Sequence, residues 1–198
     1  LGATLVLVAG CGSCRRFGYG GFFRDSWQQP ERVIESLAIA PGARVADIGA
    51  GGGYFTWYLA TAVGESGRVY AVDVDADMTS YIEEESHQKG FANVQAILAE
   101  FDDPLIPEDG VDLIFLCNTY HHIEGQEEYF RGAAKYLRPG GRVAVVEPNG
   151  EGWFQGLFPH FVEPEVIRAE MEAAGYERVE DFDFLEHQSF QVFARPSE

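Results

Sequence analysis

The chain has 198 residues, of which 32 are acidic and 14 basic, for a formal charge of −18. That length suits about one α/β domain with a core of its own. A field of this sign repels phosphodiester backbones, so a nucleic-acid partner is disfavoured.

Leu1 to Gly10 (LGATLVLVAG) is apolar and small, and Val8-Ala9-Gly10-Cys11 resembles the cleavage box of a bacterial lipoprotein. Such leaders end in a lipidated cysteine, here Cys11, which implies membrane anchoring; the alternative is a frayed N-terminal strand or helix on a cytoplasmic protein. Cys11 and Cys14 form a CxxC without a second half or a His pair, and Cys117 stands apart, so no metal site is expected. Residues 1–14 are read as leader and cysteine pair, 15–29 as an irregular arm and 30–198 as the domain. In the arm, Phe22, Phe23 and Trp27 pack over the domain or roof a pocket.

Pro30 suits a helix start, and Val33, Ile34, Leu37 and Ala38 make a helical stripe that stops before Pro41-Gly42. Arg44 to Thr56 (RVADIGAGGGYFT) reads as a buried strand, a glycine turn with Gly49, Gly51, Gly52 and Gly53, and the start of a helix running from Tyr54 to Val63. A strand is expected at 68–74, an acidic-faced helix at 75–89, a strand at 93–98 and a loop with Asp102-Asp103-Pro104 and Pro107. Then come a buried strand at 111–117, a helix at 126–137, the turn Pro139-Gly140-Gly141 and a strand at 142–147. Irregular chain leads to a helix at 164–174. Two closely connected, hence antiparallel, strands near 177–184 and 189–195 finish the chain. Alternating β and α units imply an α/β, Rossmann-like, mostly parallel sheet with helices on both faces and an antiparallel C-terminal pair.

In such a sheet ligands sit beyond the carboxyl ends of the strands. Strand one ends in Asp47, before Gly49-Ala50-Gly51. A carboxylate there repels phosphate and suits a ligand carrying an ammonium or sulfonium, brought close by backbone that lacks Cβ atoms. Strand two ends in Asp73, about twenty residues on, where a carboxylate accepts from ribose hydroxyls; Val74 follows it. Strand four ends in Asn118-Thr119-Tyr120-His121-His122, and strand five in Glu147-Pro148-Asn149. Each acid has a plainer reading as a turn or helix cap. The coincidence of Asp47, Asp73 and, past strand three, Asp102 at three strand ends favours a ligand site. A nicotinamide site fits less well, because the third glycine of GxGxxG falls on Tyr54.

VADIGAGGGYF resembles the first motif of class I S-adenosylmethionine-dependent methyltransferases, an acidic residue followed by Gly-x-Gly-x-Gly. From Pro30 onward the element pattern is similar to the seven-stranded sheet of that family. The resemblance implies S-adenosyl-L-methionine as cofactor, held by Asp47, Gly49, Ala50, Gly51, Asp73, Val74, Asp102 and Asn118. In that family an acidic residue after strand three accepts from the adenine amino group, and Asp102 matches it by its spacing to Pro107.

It also implies methyl transfer to a small-molecule acceptor. The leaving group is already activated, so a base is needed only when the acceptor must lose a proton; His121 and His122 are the candidates, with Tyr120 and Glu147 in reserve. Their alternative role is loop geometry. Residues 150–161 (GEGWFQGLFPHF) are the expected substrate wall, with Trp153, Phe154, Phe158 and Phe161; Tyr120, Trp153 and Phe158 are expected to face the acceptor. A second hypothesis is a lipid-anchored binding module that keeps the fold without turnover.

Overall fold

Strand β4 (Val111–Cys117) shows how the core is divided. Successive strand side chains point to opposite faces, so Leu113, Phe115 and Cys117 join one buried cluster while Ile114 and Leu116 join another. A sheet buried on both faces must carry helices on both. The computed structural model, which describes residues 24–108, 110–150 and 161–196, has that layering. Trp153, Phe154, Phe158, the leader and most of the arm lie outside the described residues.

The other strands are β1 (Arg44–Ile48), β2 (Arg68–Asp73), β3 (Val94–Leu98), β5 (Leu137–Pro148), β6 (Glu177–Phe182) and β7 (Gln188–Ala194). They form one seven-stranded sheet in the order β3-β2-β1-β4-β5-β7-β6. β1 to β5 pair in parallel, and β7 runs antiparallel to both β5 and β6. The helices are α1 (Arg24–Gln28), α2 (Pro30–Ser36), α3 (Tyr54–Val63), α4 (Ala76–Lys89), α5 (Gln126–Ala133) and α6 (Pro164–Ala173). Val33, Phe55, Leu59 and Ile82 bring α2, α3 and α4 to one face; Tyr129, Phe130, Ile167 and Met171 bring α5 and α6 to the other. Full burial of each such side chain contributes about 1.5–3 kcal/mol. The chain winds outward from β1 to β3 and returns on the other side of β1 as β4. The crevice lies at that reversal, beyond the β1 and β4 tips.

Several boundaries differ from expectation, each for a local reason. The last turn of the arm is helical, as α1, because Gln28 is wholly buried and its amide donates to the Cys117 Sγ at 2.8 Å. Gln29 then breaks the helix in a left-handed conformation, φ 45°, the residue before a proline being disfavoured in the right-handed helical region. Asp75 is not the first residue of α4 but its cap, accepting from the Asp77 N–H at 2.9 Å. Asn93 lies outside β3 because its amide donates to the carbonyls of Ala60 and Gly64, satisfying the end of α3. The helix expected to reach residue 137 stops at Ala133, and a 3₁₀ turn (Ala134–Tyr136) feeds directly into β5. Leu137 already pairs with Val111, and a register shift before Leu113 absorbs the Pro-Gly-Gly segment.

Candidate functional site

β1 ends in a turn bent toward β2, with the N–H groups of Gly49 and Ala50 both donating to the Val72 carbonyl at 2.8 and 3.1 Å. Gly49 has φ 71°, and a Cβ there would lie 2.3 Å from the Thr119 side chain. Only glycine lets the turn press against the segment that follows β4. Asp73, at the tip of β2, fastens the same turn. One carboxylate oxygen accepts from the Gly51 N–H at 2.8 Å and the other from the Asp75 N–H at 2.9 Å. Each oxygen keeps a further lone pair for a ligand hydroxyl.

Asp47 is 3% exposed and accepts from the Thr56 hydroxyl at 2.6 Å. Burial pushes its carboxyl up to about 6, against the Thr56 hydrogen bond, with the Asp73 charge adding to the rise and Arg24 opposing it. A carboxylate so placed favours a neighbouring cation.

At and beyond the β2 and β3 tips lie exposed apolar residues: Val74, Leu98, Phe101 and Leu105, Phe101 being 81% exposed. The Ala99 N–H donates to the Asp73 carbonyl at 2.9 Å, so the first acid past β3 at this edge is Glu100, which sequence reasoning passed over for the aspartates. Asp103 is taken up by Lys135 at 2.7 Å and the Tyr136 hydroxyl at 2.6 Å. Partial burial works against its ionisation, yet these bonds and the Leu105 N–H win and hold its pKa below the usual value. Asp102 is exposed.

On the β4 side, Asn118 is left-handed, φ 55°, and its side-chain oxygen accepts from the Gln188 amide at 2.7 Å. Gln188 Oε1 is buried without a partner among the described residues. The following 3₁₀ turn, Tyr120–His122, separates three neighbours. Tyr120 is fully buried, stacked on Phe130 with its hydroxyl donating to Glu170 at 2.8 Å. The phenol, expected against the acceptor, packs in the core under α5 and α6. His121 is mostly buried and its Nδ1 contacts Oε1 of Glu147, which is wholly buried. His122 is exposed, its ring centroid 4.0 Å from that of His121. Burial pushes the Cys117 thiol up to about 12, so it stays protonated at neutral pH.

α1 lies over the start of α3, with Arg24 3.9 Å above the Tyr54 ring and the Tyr54 hydroxyl donating to Asp25. Phe161 packs on Gly150. Thr56, Gln28, Glu100 and the pairing of Glu147 were not singled out by sequence. Only Thr56, three residues past Gly53 in a helix facing Asp47, carried a readable cue.

A family profile described as a methyltransferase domain matches residues 39–187. The chain belongs to the methyltransferase-domain family. The methyl donor that this family and fold imply is S-adenosylmethionine. The methyltransferase domain is 31% identical over 121 residues to the ubiquinone/menaquinone biosynthesis C-methyltransferase UbiE of Ectopseudomonas mendocina, covering 61% of this chain and 47% of that one. It is also 31% identical over 108 residues to an arsenite methyltransferase of Halobacterium salinarum, covering 54% of this chain and 28% of that one. The chain thus spans less than half the length of these curated relatives. Its fold matches the crystal structure of an S-adenosylmethionine-dependent methyltransferase from Aquifex aeolicus with a TM-score of 0.81 and 23% identity, over 93% of this chain and 98% of that one.

Proposed function

We propose that the protein transfers the methyl group of S-adenosylmethionine to a small-molecule acceptor. The observation that carries the reading is the β1–β2 corner, where the carboxylates of Asp47 and Asp73 flank a glycine turn beside an exposed apolar ledge. These groups suit the donor part by part. Asp47 faces the positive end, with Gly49, Ala50 and Gly51 offering close backbone. Asp73 accepts from the ribose, and Val74, Leu98 and Phe101 supply apolar surface for the adenine, with Glu100 or Asp102 to accept from its amino group. Asn118 stands at the β4 tip as a further contact. When bound, the donor supplies an activated methyl group; the chain's part is to hold it in line and exclude water.

The two named relatives support small molecules as the acceptor class, and the −18 charge weighs against nucleic acid. Trp153 and Phe158 remain our candidates for the acceptor wall. Calorimetry with S-adenosylmethionine and S-adenosylhomocysteine tests the reading: micromolar binding supports it, and its absence in the wild type removes it.

We also propose lipidation at Cys11, on the strength of Val8-Ala9-Gly10-Cys11. No helix among the described residues is long and apolar enough to cross a membrane. Intact mass of the protein from its native host decides: an acylated Cys11 at the N-terminus supports anchoring, and an unmodified chain removes it.

A further inference from the structure

We propose that Gln188 is a positioning residue: its buried amide turns the Asn118 side chain so that the N–H end of Asn118 is offered to the carboxylate of the methyl donor's amino-acid end. This rests on the methyl-transfer reading above and deepens it.

Ile48 pairs with Leu116, so the glycine turn and Asn118 leave the sheet from neighbouring strands. A donor with its ribose at Asp73 and its adenine on the β3 side lies across the order β3-β2-β1-β4, which brings its amino-acid end to the β4 tip. Alternation continued past Leu116 would send Asn118 to the α5–α6 face. Gln188 lies on the other face, with Phe190 and Val192. The left-handed conformation of Asn118, φ 55°, carries its side chain across to meet Gln188. Asparagine is among the few residues that take such a φ readily.

Gln188 is 2% exposed, and its Nε2 donates to Asn118 Oδ1 at 2.7 Å. The same nitrogen is 4.0 Å from the Cys117 Sγ, but Gln28 already supplies that sulfur with a donor at 2.8 Å. At the other end of the amide, Oε1 is buried without a partner among the described residues. An unpaired buried carbonyl is disfavoured, and a methionine of similar length would avoid it. What the glutamine adds is therefore the N–H on Asn118. With Oδ1 engaged by a buried group, Nδ2 stands on the opposite side of the Asn118 carboxamide. Asn118 is part-exposed, and nothing among the described residues takes its Nδ2. That nitrogen only donates, so it suits a carboxylate and not an ammonium. The positive end of the donor is left to Asp47, on the adjacent strand.

The experiment is calorimetry of the full chain with two probes, S-adenosylhomocysteine and 5′-methylthioadenosine, the second having the adenosine and the thioether but no amino-acid end. Q188M should weaken S-adenosylhomocysteine about 5–20-fold and leave 5′-methylthioadenosine within about twofold. Equal losses for both probes mark a merely structural role and overturn the proposal; so does no loss for either. N118A should show the same selective loss, and the Q188M/N118A double variant should bind no worse than N118A alone, because Gln188 acts through Asn118. Additive losses overturn it. If Q188M does not fold, a long-range HNCO spectrum of the wild type decides. Coupling from the Gln188 side-chain N–H to Asn118 Cγ supports the proposal, and its absence, or the reverse coupling from Asn118 to Gln188, overturns it. A wild type that binds neither probe defeats the methyl-transfer reading, whereas binding of both without a selective loss in Q188M defeats this proposal alone.

Discussion

On the β1–β2 side of the crevice the polar contacts are short in sequence: Asp47 to Thr56 spans nine residues, Asp73 to Asp75 two and Asp73 to Gly51 twenty-two. On the β4–β5 side they are long. His121 reaches Glu147 across 26 residues, Tyr120 reaches Glu170 across 50, Asn118 meets Gln188 across 70 and Cys117 meets Gln28 across 89. The β1–β2 half, where we propose the donor binds, is therefore assembled mostly by one βαβ unit, and its polar contacts follow from that unit's own sequence. The β4–β5 half is assembled by four distant segments meeting at the β4 tip. Such a region has more ways to vary without disturbing the donor half, which is how one fold serves many acceptors.

The contact between the halves is the place to break this division first. Gly49→Val sets a branched side chain at φ 71° against Thr119. It should destabilise the fold by about 3 kcal/mol or more and abolish donor binding. Pairing it with Thr119→Gly should recover part of the stability but not the strain. Thermal melts and calorimetry report both; a single variant that binds normally would show that the halves do not press together there.

Asp73→Ala comes next. It removes the carboxylate that fastens Gly51 and is expected to meet the ribose, so donor affinity should fall about 30–100-fold, or 2–3 kcal/mol. Unchanged binding by calorimetry would detach Asp73 from the donor half's function.

Asp47→Asn separates stability from function within that half. The folded pKa of about 6 lies above the ordinary 3.8, so between those values the native state holds the proton more tightly than the unfolded chain. Stability of the ligand-free protein should fall as pH rises through that window and stay lower above it. The variant lacks this fall and should be about 1–3 kcal/mol more stable than the wild type at pH 7–8, while binding the donor less tightly. Denaturant melts at pH 4 and pH 7.5 test the sign; equal stability at both would refute the buried charge as its cause.

The smallest effect is expected at Tyr120→Phe, which removes only the bond to Glu170. A loss of about 1 kcal/mol with donor affinity intact agrees with a core role. A change in acceptor KM without a change in stability would return Tyr120 to the acceptor wall.

The strand–turn–helix unit around Asp47, the acid at the β2 tip and the antiparallel C-terminal pair were legible in the sequence. Glycine spacing, strand alternation and chain order report on backbone geometry within a few turns of the residues that show them. The direction of Tyr120, the plugging of Cys117 by Gln28 and the partnership of Glu147 with His121 were decided only by the tertiary structure. Each depends on which distant element arrives at the β4 tip, and adjacent residues of one short turn are sent to a core, a buried carboxylate and the surface by that arrival alone.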